Sequence, residues 1–499
     1  MDAGLTASDA ERWESEGGWS DMDAATVGEP GICAMWFSEG GWFAATESRL
    51  AKGAGRFGDG RRMVQAEQRA TDWFTRGWLA VIAVGCVWPV VVCATEFRAL
   101  FLFQDEWDQL RELEQMGWWR WALSVFGENF MPVGKMVWGG TLLATGGSHF
   151  AVIVAMWVTH LMNVFLLGWL MVERGCGRWA AAFAAVVFGY SASTIETLAW
   201  GIQWTNVMAL TFFLLALLQL EGLANGTRKG VAAHAWFALA VAASGFSFVR
   251  GMLAGLAITA FMMWPWGMTI APARRWRIAV LAALPAIVAL GFMKAGAIGS
   301  VQHTREFGVA TLLQMGEFAA RCYAGNPFAK WIDPSNSGAG ELWILGGLKT
   351  VVLVLGVRWA APRFRPLLVV LVLFELANVA ALGVGRYWTG MEAATSSRYQ
   401  YTSLFALAPF LGVVVERVMG TLKGPRFVRE AIAAVALLGA GFTVTRSWPS
   451  GIEGWHSWRG AELRAALALP AEEAPAEMPR HPWLSHAELR RLVEKYGLH

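Results

Sequence analysis

Charge is scarce in this chain. Only 16% of its 499 residues are Asp, Glu, Lys or Arg, whereas 56% are hydrophobic, and the mean hydropathy is +0.41. A water-soluble core has no need of so much apolar sequence, so the composition excludes an ordinary soluble globular fold and points to a polytopic membrane protein. The net charge of +3 is small and its basic residues lie in short clusters between apolar runs. That excludes the broad basic face of a nucleic-acid binder. Cysteine is sparse as well: Cys33, Cys86, Cys93, Cys176 and Cys322 have no metal-ligand spacing and no evident pairing, so neither a disulfide scaffold nor a zinc site is expected. There is no HExxH, CxxC, Walker or dinucleotide fingerprint, no repeat period, and no signal-type apolar segment near Met1.

What the chain has in quantity is tryptophan and long apolar runs. Many of the 29 Trp stand at the edges of those runs, among them Trp78, Trp169, Trp200, Trp204, Trp264 and Trp266, where an amphipathic indole suits the membrane interface. Runs of about 17–25 apolar residues can cross a bilayer as helices. Eleven are expected: 77–96, 150–172, 179–193, 205–223, 231–248, 252–270, 278–293, 342–357, 367–384, 401–415 and 430–445. The fold class is therefore all-α.

Basic residues alternate between the connecting loops. Arg174 and Arg178, Arg228 and Lys229, Arg274 to Arg277, Arg358 to Arg365 and Arg417 to Arg429 fall in every second loop, which predicts an N-in, C-out chain in the cytoplasmic membrane. Three parts follow: residues 1–75, Gly-, Ala- and acid-rich and expected to be poorly ordered; a membrane domain over 76–446; and an outward tail over 447–499. Met63 offers an alternative start. In the tail, Ser485 and Glu488 form a capping-box pattern for a helix over 485–496. The Ala, Gly, Arg and Trp usage suggests a bacterium of high G+C content.

The stretch "FQDEWD" (103–108) opens the first outward loop, 97–149. Helical spacing of Leu110, Leu113, Met116 and Trp121, and the apolar run 131–146 that starts near Pro132, predict two helices lying along the membrane surface beside the carboxylates. Asp105 and Asp108, three apart, share a helical face from which Glu106 turns away.

An acidic pair after the first span, then surface helices, then a second span containing His160 and Asn163 and ending in a basic turn, resembles the superfamily C membrane glycosyltransferases that use polyprenyl-phosphate sugars. The resemblance covers about residues 77–222, with the stretch 128–200 as its most similar part; "ENFMP" (128–132) departs from the His-Phe-Arg-Pro type of motif seen there. It implies transfer of a sugar from a polyprenyl-phosphate donor to a lipid, glycan or protein acceptor, with membrane lipids as the other partners. A carboxylate of the first loop would act as base on the acceptor hydroxyl: Asp105 first, then Asp108, then Glu106. A plain alternative remains, in which these groups are a solvated boundary or Asp105 caps a helix.

For the phosphate, Arg386 and Arg398 stand in an outward Gly-, Ser- and Thr-rich segment with Tyr387, Tyr399 and Tyr401. Guanidinium groups fork onto phosphate oxygens; alternatively they anchor the loop to lipid headgroups or pair with Glu392. Arg250, at the edge of two spans, and Glu196, the lone charge of its turn, are candidates for substrate binding or for pairing with each other. Lys135, expected to snorkel from a surface helix, and His303 are further candidates. No cofactor is expected, although Asp105, Glu106 and Asp108 are hard ligands suited to a divalent ion. The competing readings are a transporter or lipid-carrier flippase, with Glu375 and Asn378 as mid-span polar residues, and an inactive scaffold.

Overall fold

A computed structural model describes residues 75–127, 129–264, 270–295, 308–332, 342–456, 461–475, 478, 481 and 483–499. The expected poorly ordered segment, Met63, Glu128 and His303 lie outside the described residues. Contacts divide the chain into Met1–Arg61 and Arg62–His499, and every described residue belongs to the second unit.

Among the described residues, each of the eleven apolar runs lies largely in helix, as hydrocarbon demands of a backbone that must satisfy its own polar groups. Among the described residues, eight helices are long and apolar enough to cross a membrane, from Thr75–Val92 to Phe427–Glu453; Arg178–Tyr190 and Ala192–Leu198, bent by 44°, make a ninth if counted as one broken span. Val231–Ser247 and Val249–Met263 are shorter apolar helices. Among the described residues the only non-helical pairings are two isolated bridges, Phe126 with Asn129 and Met478 with His481.

Local chemistry sets several boundaries. Ser148 caps the His149–Glu173 helix by accepting from the amide of Ala151, and Pro132 begins Pro132–Ala144, where its missing N–H costs nothing. Phe248 is extended between the two short helices, which leaves Arg250 in the first turn of Val249–Met263 rather than mid-span. Ser485 accepts from the Glu488 amide at 3.2 Å to open His486–Tyr496, and Gly497, at φ 62°, closes it in the left-handed conformation that glycine adopts without steric cost.

The helices of the first loop pack closely onto their neighbours. Asp105–Met116 buries Trp107, Leu110 and Leu113, but also Glu106, Gln109 and Glu112, and Pro132–Ala144 packs against Trp204–Asn225 and Val231–Ser247. Lys135 does not snorkel. It is fully buried, and its ammonium donates to Trp121 O, Ser124 O and Ser124 Oγ at 2.7–3.1 Å, with Glu112 Oε2 at 3.7 Å. The physical reason is local: the turn after Trp118–Ala122 exposes carbonyls that need a donor, and one long cation serves both.

The tail likewise folds back rather than standing apart. Arg464 donates to Leu100 O and covers the Phe101 ring. Lys495 and Arg491 both pair with Glu114, and Trp483 donates to Asp108.

Candidate active site

The three carboxylates of "FQDEWD" point three ways. Glu106 is fully buried and accepts from Phe103 N at 3.0 Å and Trp138 Nε1 at 3.3 Å, with His149 Nε2 3.4 Å away. A Cβ on Gly201 would meet Glu106 Oε1 at 2.5 Å, so this close approach requires glycine there. Asp108 is held by Arg111 at 2.9 Å and by Trp483 Nε1 at 3.2 Å. Asp105 begins its helix without capping it, and it takes no hydrogen bond or close ion pair among the described residues.

Asp105 instead lines a cavity of about 440 Å³, within the range of small-ligand sites. The walls come from the starts of Asp105–Met116, Val249–Met263 and Ser397–Thr421, the end of Arg365–Arg386 and the Trp200–Gln203 turn. They bring Arg250, Arg386, Arg398 and Tyr399 onto the same space as Asp105. Burial pushes the Asp105 carboxyl up to about 6, with Arg386 and Arg398 pulling back down and Asp108 and Glu106 adding repulsion. The carboxylate therefore stands close to a general base's working range.

Several buried polar atoms on this wall lack a partner among the described residues: Arg250 Nη1, Arg398 Nε and Asn129 Oδ1. Buried donors and acceptors are ordinarily satisfied, so this concentration marks a surface suited to a polar, anionic ligand. Three guanidiniums against one carboxylate set its sign. No group of three or more His, Cys, Asp or Glu among the described residues is arranged to hold a metal.

Glu196 and Arg250 converge on Arg398. Glu196 accepts from the Arg398 amide at 3.1 Å and from Ser396 Oγ at 3.0 Å, while Arg250 donates to the Arg398 carbonyl at 3.4 Å. Glu196 thus holds the segment that presents Arg398. His160 and Asn163 lie deeper: both bond the hydroxyl of Tyr401, at 2.9 and 3.1 Å, tying two spans together. Lys135 stands in its own network of loop carbonyls.

Gln104, Asn129, Trp200, Gln203 and Trp388 also line the cavity and were not singled out from the sequence. Gln104 is the only described non-glycine residue with positive φ, at 40° with ψ −109°. Such a conformation costs about 1–3 kcal/mol and persists where its surroundings impose it. No pattern of residues in "LFQDE" announces it.

No family model matches the chain, and no curated protein does. Among solved structures, the chain is similar to ArnT from Cupriavidus metallidurans bound to undecaprenyl phosphate, at 16% identity over 85% of each chain with a TM-score of 0.47.

Proposed function

We propose that this protein is an integral membrane glycosyltransferase of the superfamily C type, moving a sugar from a polyprenyl-phosphate donor to a lipid, glycan or protein acceptor at the outer face of the cytoplasmic membrane. The observation that carries the reading is one unpaired carboxylate, Asp105, sharing a cavity with Arg250, Arg386 and Arg398. A sugar hydroxyl is a weak nucleophile, and Asp105 takes its proton as the hydroxyl oxygen bonds to the anomeric carbon. The bond from that carbon to the phosphate oxygen breaks at the same time. The leaving phosphate gains negative charge, which guanidiniums held on the cavity wall stabilise. A single displacement with one base inverts the anomeric configuration.

The flippase reading keeps one supporting observation, a buried ion pair between Lys349 and Glu375 at 2.5 Å within the spans, since intramembrane charges commonly mark transport pathways. Yet Lys349 is also bonded to Asn326 O and Ser403 Oγ, a set of contacts that locks three helices together.

The test is sugar transfer by membranes containing the protein, offered a panel of labelled polyprenyl-phosphate sugars. Wild type transfers one of them, Asp105→Asn loses about 10²- to 10⁴-fold, and Asp108→Asn loses far less. Equal transfer by wild type and Asp105→Asn would remove the carboxylate from the chemistry.

A further inference from the structure

Side chains pin the backbone just before Asp105 at four polar groups. Trp107 Nε1 donates to Leu102 O at 3.1 Å, Glu106 accepts from Phe103 N at 3.0 Å, and Trp200 Nε1 donates to Phe103 O at 3.2 Å. The fourth contact is of another kind. The amide of Gln104 donates to His481 Nε2 at 2.7 Å, across 377 residues of chain.

His481 is fully buried. Its ring meets Phe103 edge-on at a centroid distance of 5.5 Å and stands 5.8 Å from the Trp483 ring. Its backbone is fixed as well, its carbonyl accepting from Leu484 N and its amide donating to Met478 O. To accept from an amide, Nε2 must be unprotonated, which places the ring proton on Nδ1. The residue it holds is Gln104, the one described non-glycine residue in a left-handed backbone conformation, and Gln104 sets the direction in which the next residue leaves the loop.

We infer that His481 is a positioning residue for Asp105, a tail-borne acceptor that holds Gln104 in its strained conformation and so keeps the Asp105 carboxylate in the cavity. The inference rests on Asp105 being the base proposed above. Trp107 and Glu106 come from the helix that follows and move with it, whereas Trp200 and His481 come from elsewhere and fix the loop in space. The tail therefore completes the site without touching substrate. Released, the Gln104 backbone relaxes toward negative φ and swings Asp105 away from the guanidiniums.

His481→Phe keeps a ring against Phe103 and removes the acceptor, and His481→Gln restores an acceptor. Hydrogen exchange at the Gln104 amide is measured alongside transfer kinetics, with Lys495→Ala as a tail variant that leaves His481 in place. His481→Phe is expected to accelerate exchange at Gln104 and lower kcat about 10²-fold, the scale of a misplacement of roughly 1 Å, with KM little changed. His481→Gln recovers both, and Lys495→Ala changes neither. Faster exchange with unaltered kcat overturns the positioning role, and unaltered exchange overturns the contact itself. Should wild type transfer no sugar from any donor, the proposed function fails. Exchange at Gln104, with its recovery in His481→Gln, then decides alone whether His481 holds the loop.

Discussion

A carboxylate becomes a base or a structural strut according to what surrounds it, and "FQDEWD" holds both kinds within four residues. Glu106 is enclosed by Phe103 N, Trp138 and His149. Asp108 is covered by Arg111 and Trp483. Asp105 alone faces the cavity, with its carboxyl raised to about 6 chiefly by burial. A base works deprotonated, so kcat/KM is expected to fall as pH drops through about 6, with unit slope on the acid side. Arg398 lowers that value, so Arg398→Gln shifts the acid limb to higher pH; an unmoved limb in a pH–rate profile would break the link between the two. The order Asp105, Asp108, Glu106 follows in the sequence from the resemblance and a shared helical face, and the position of Asp105 on the cavity wall supports it. The expectation that Asp108 shares its surroundings was not met, because Trp483 lies 375 residues away and no local pattern predicts it.

At the scale of elements, helix positions were legible and their environments were not. Apolar runs of the right length form helices wherever water is absent, and the described residues of all eleven lie largely in helix. Lys135 shows the other side. Its place near Pro132 suggested a cation at the membrane surface, but the Trp118–Ala122 turn offers carbonyls that the lysine satisfies from within. Lys135→Met keeps the bulk but strands those carbonyls and the buried Glu112, and breaking such a buried pair costs about 3–5 kcal/mol. A lowered Tm in detergent, larger than that of Arg111→Met at the more exposed Asp108 pair, is the expected result. The short helices Val231–Ser247 and Val249–Met263 follow the same logic: the extended Phe248 between them delivers Arg250 to the cavity instead of leaving a charge inside a span.

Across the whole molecule, the cavity gathers pieces of four segments, within residues 104–129, 200–203, 248–253 and 378–399. Most of these residues stand in loops that the alternation of basic residues assigns to the outer side, and Leu253, Asn378, Ala381 and Leu382 come from the adjoining ends of expected spans. That assignment predicts that Glu473→Cys, in the exposed part of the tail, reacts with a membrane-impermeant maleimide in intact cells. Lys229→Cys, exposed at the opposite end, reacts only after permeabilisation. The reverse pattern would invert the topology and move the cavity to the cytoplasmic side. The tail belongs to this scale too, since residues 464, 481, 483 and 495 bind it to the first loop and make one structure of two regions that read as separate in the sequence.

Composition and hydropathy by themselves determined the class of this protein, the positions of its membrane helices and the side on which its loops are expected, because those properties are local sums over neighbouring residues. The convergence of Asp105 with Arg250, Arg386 and Arg398, the burial of Glu106 and Lys135, and the grip of His481 on Gln104 were decided only by tertiary packing. Each depends on groups separated by tens to hundreds of residues, and whether a polar side chain is solvated, paired or left facing a ligand is fixed by what the fold places against it.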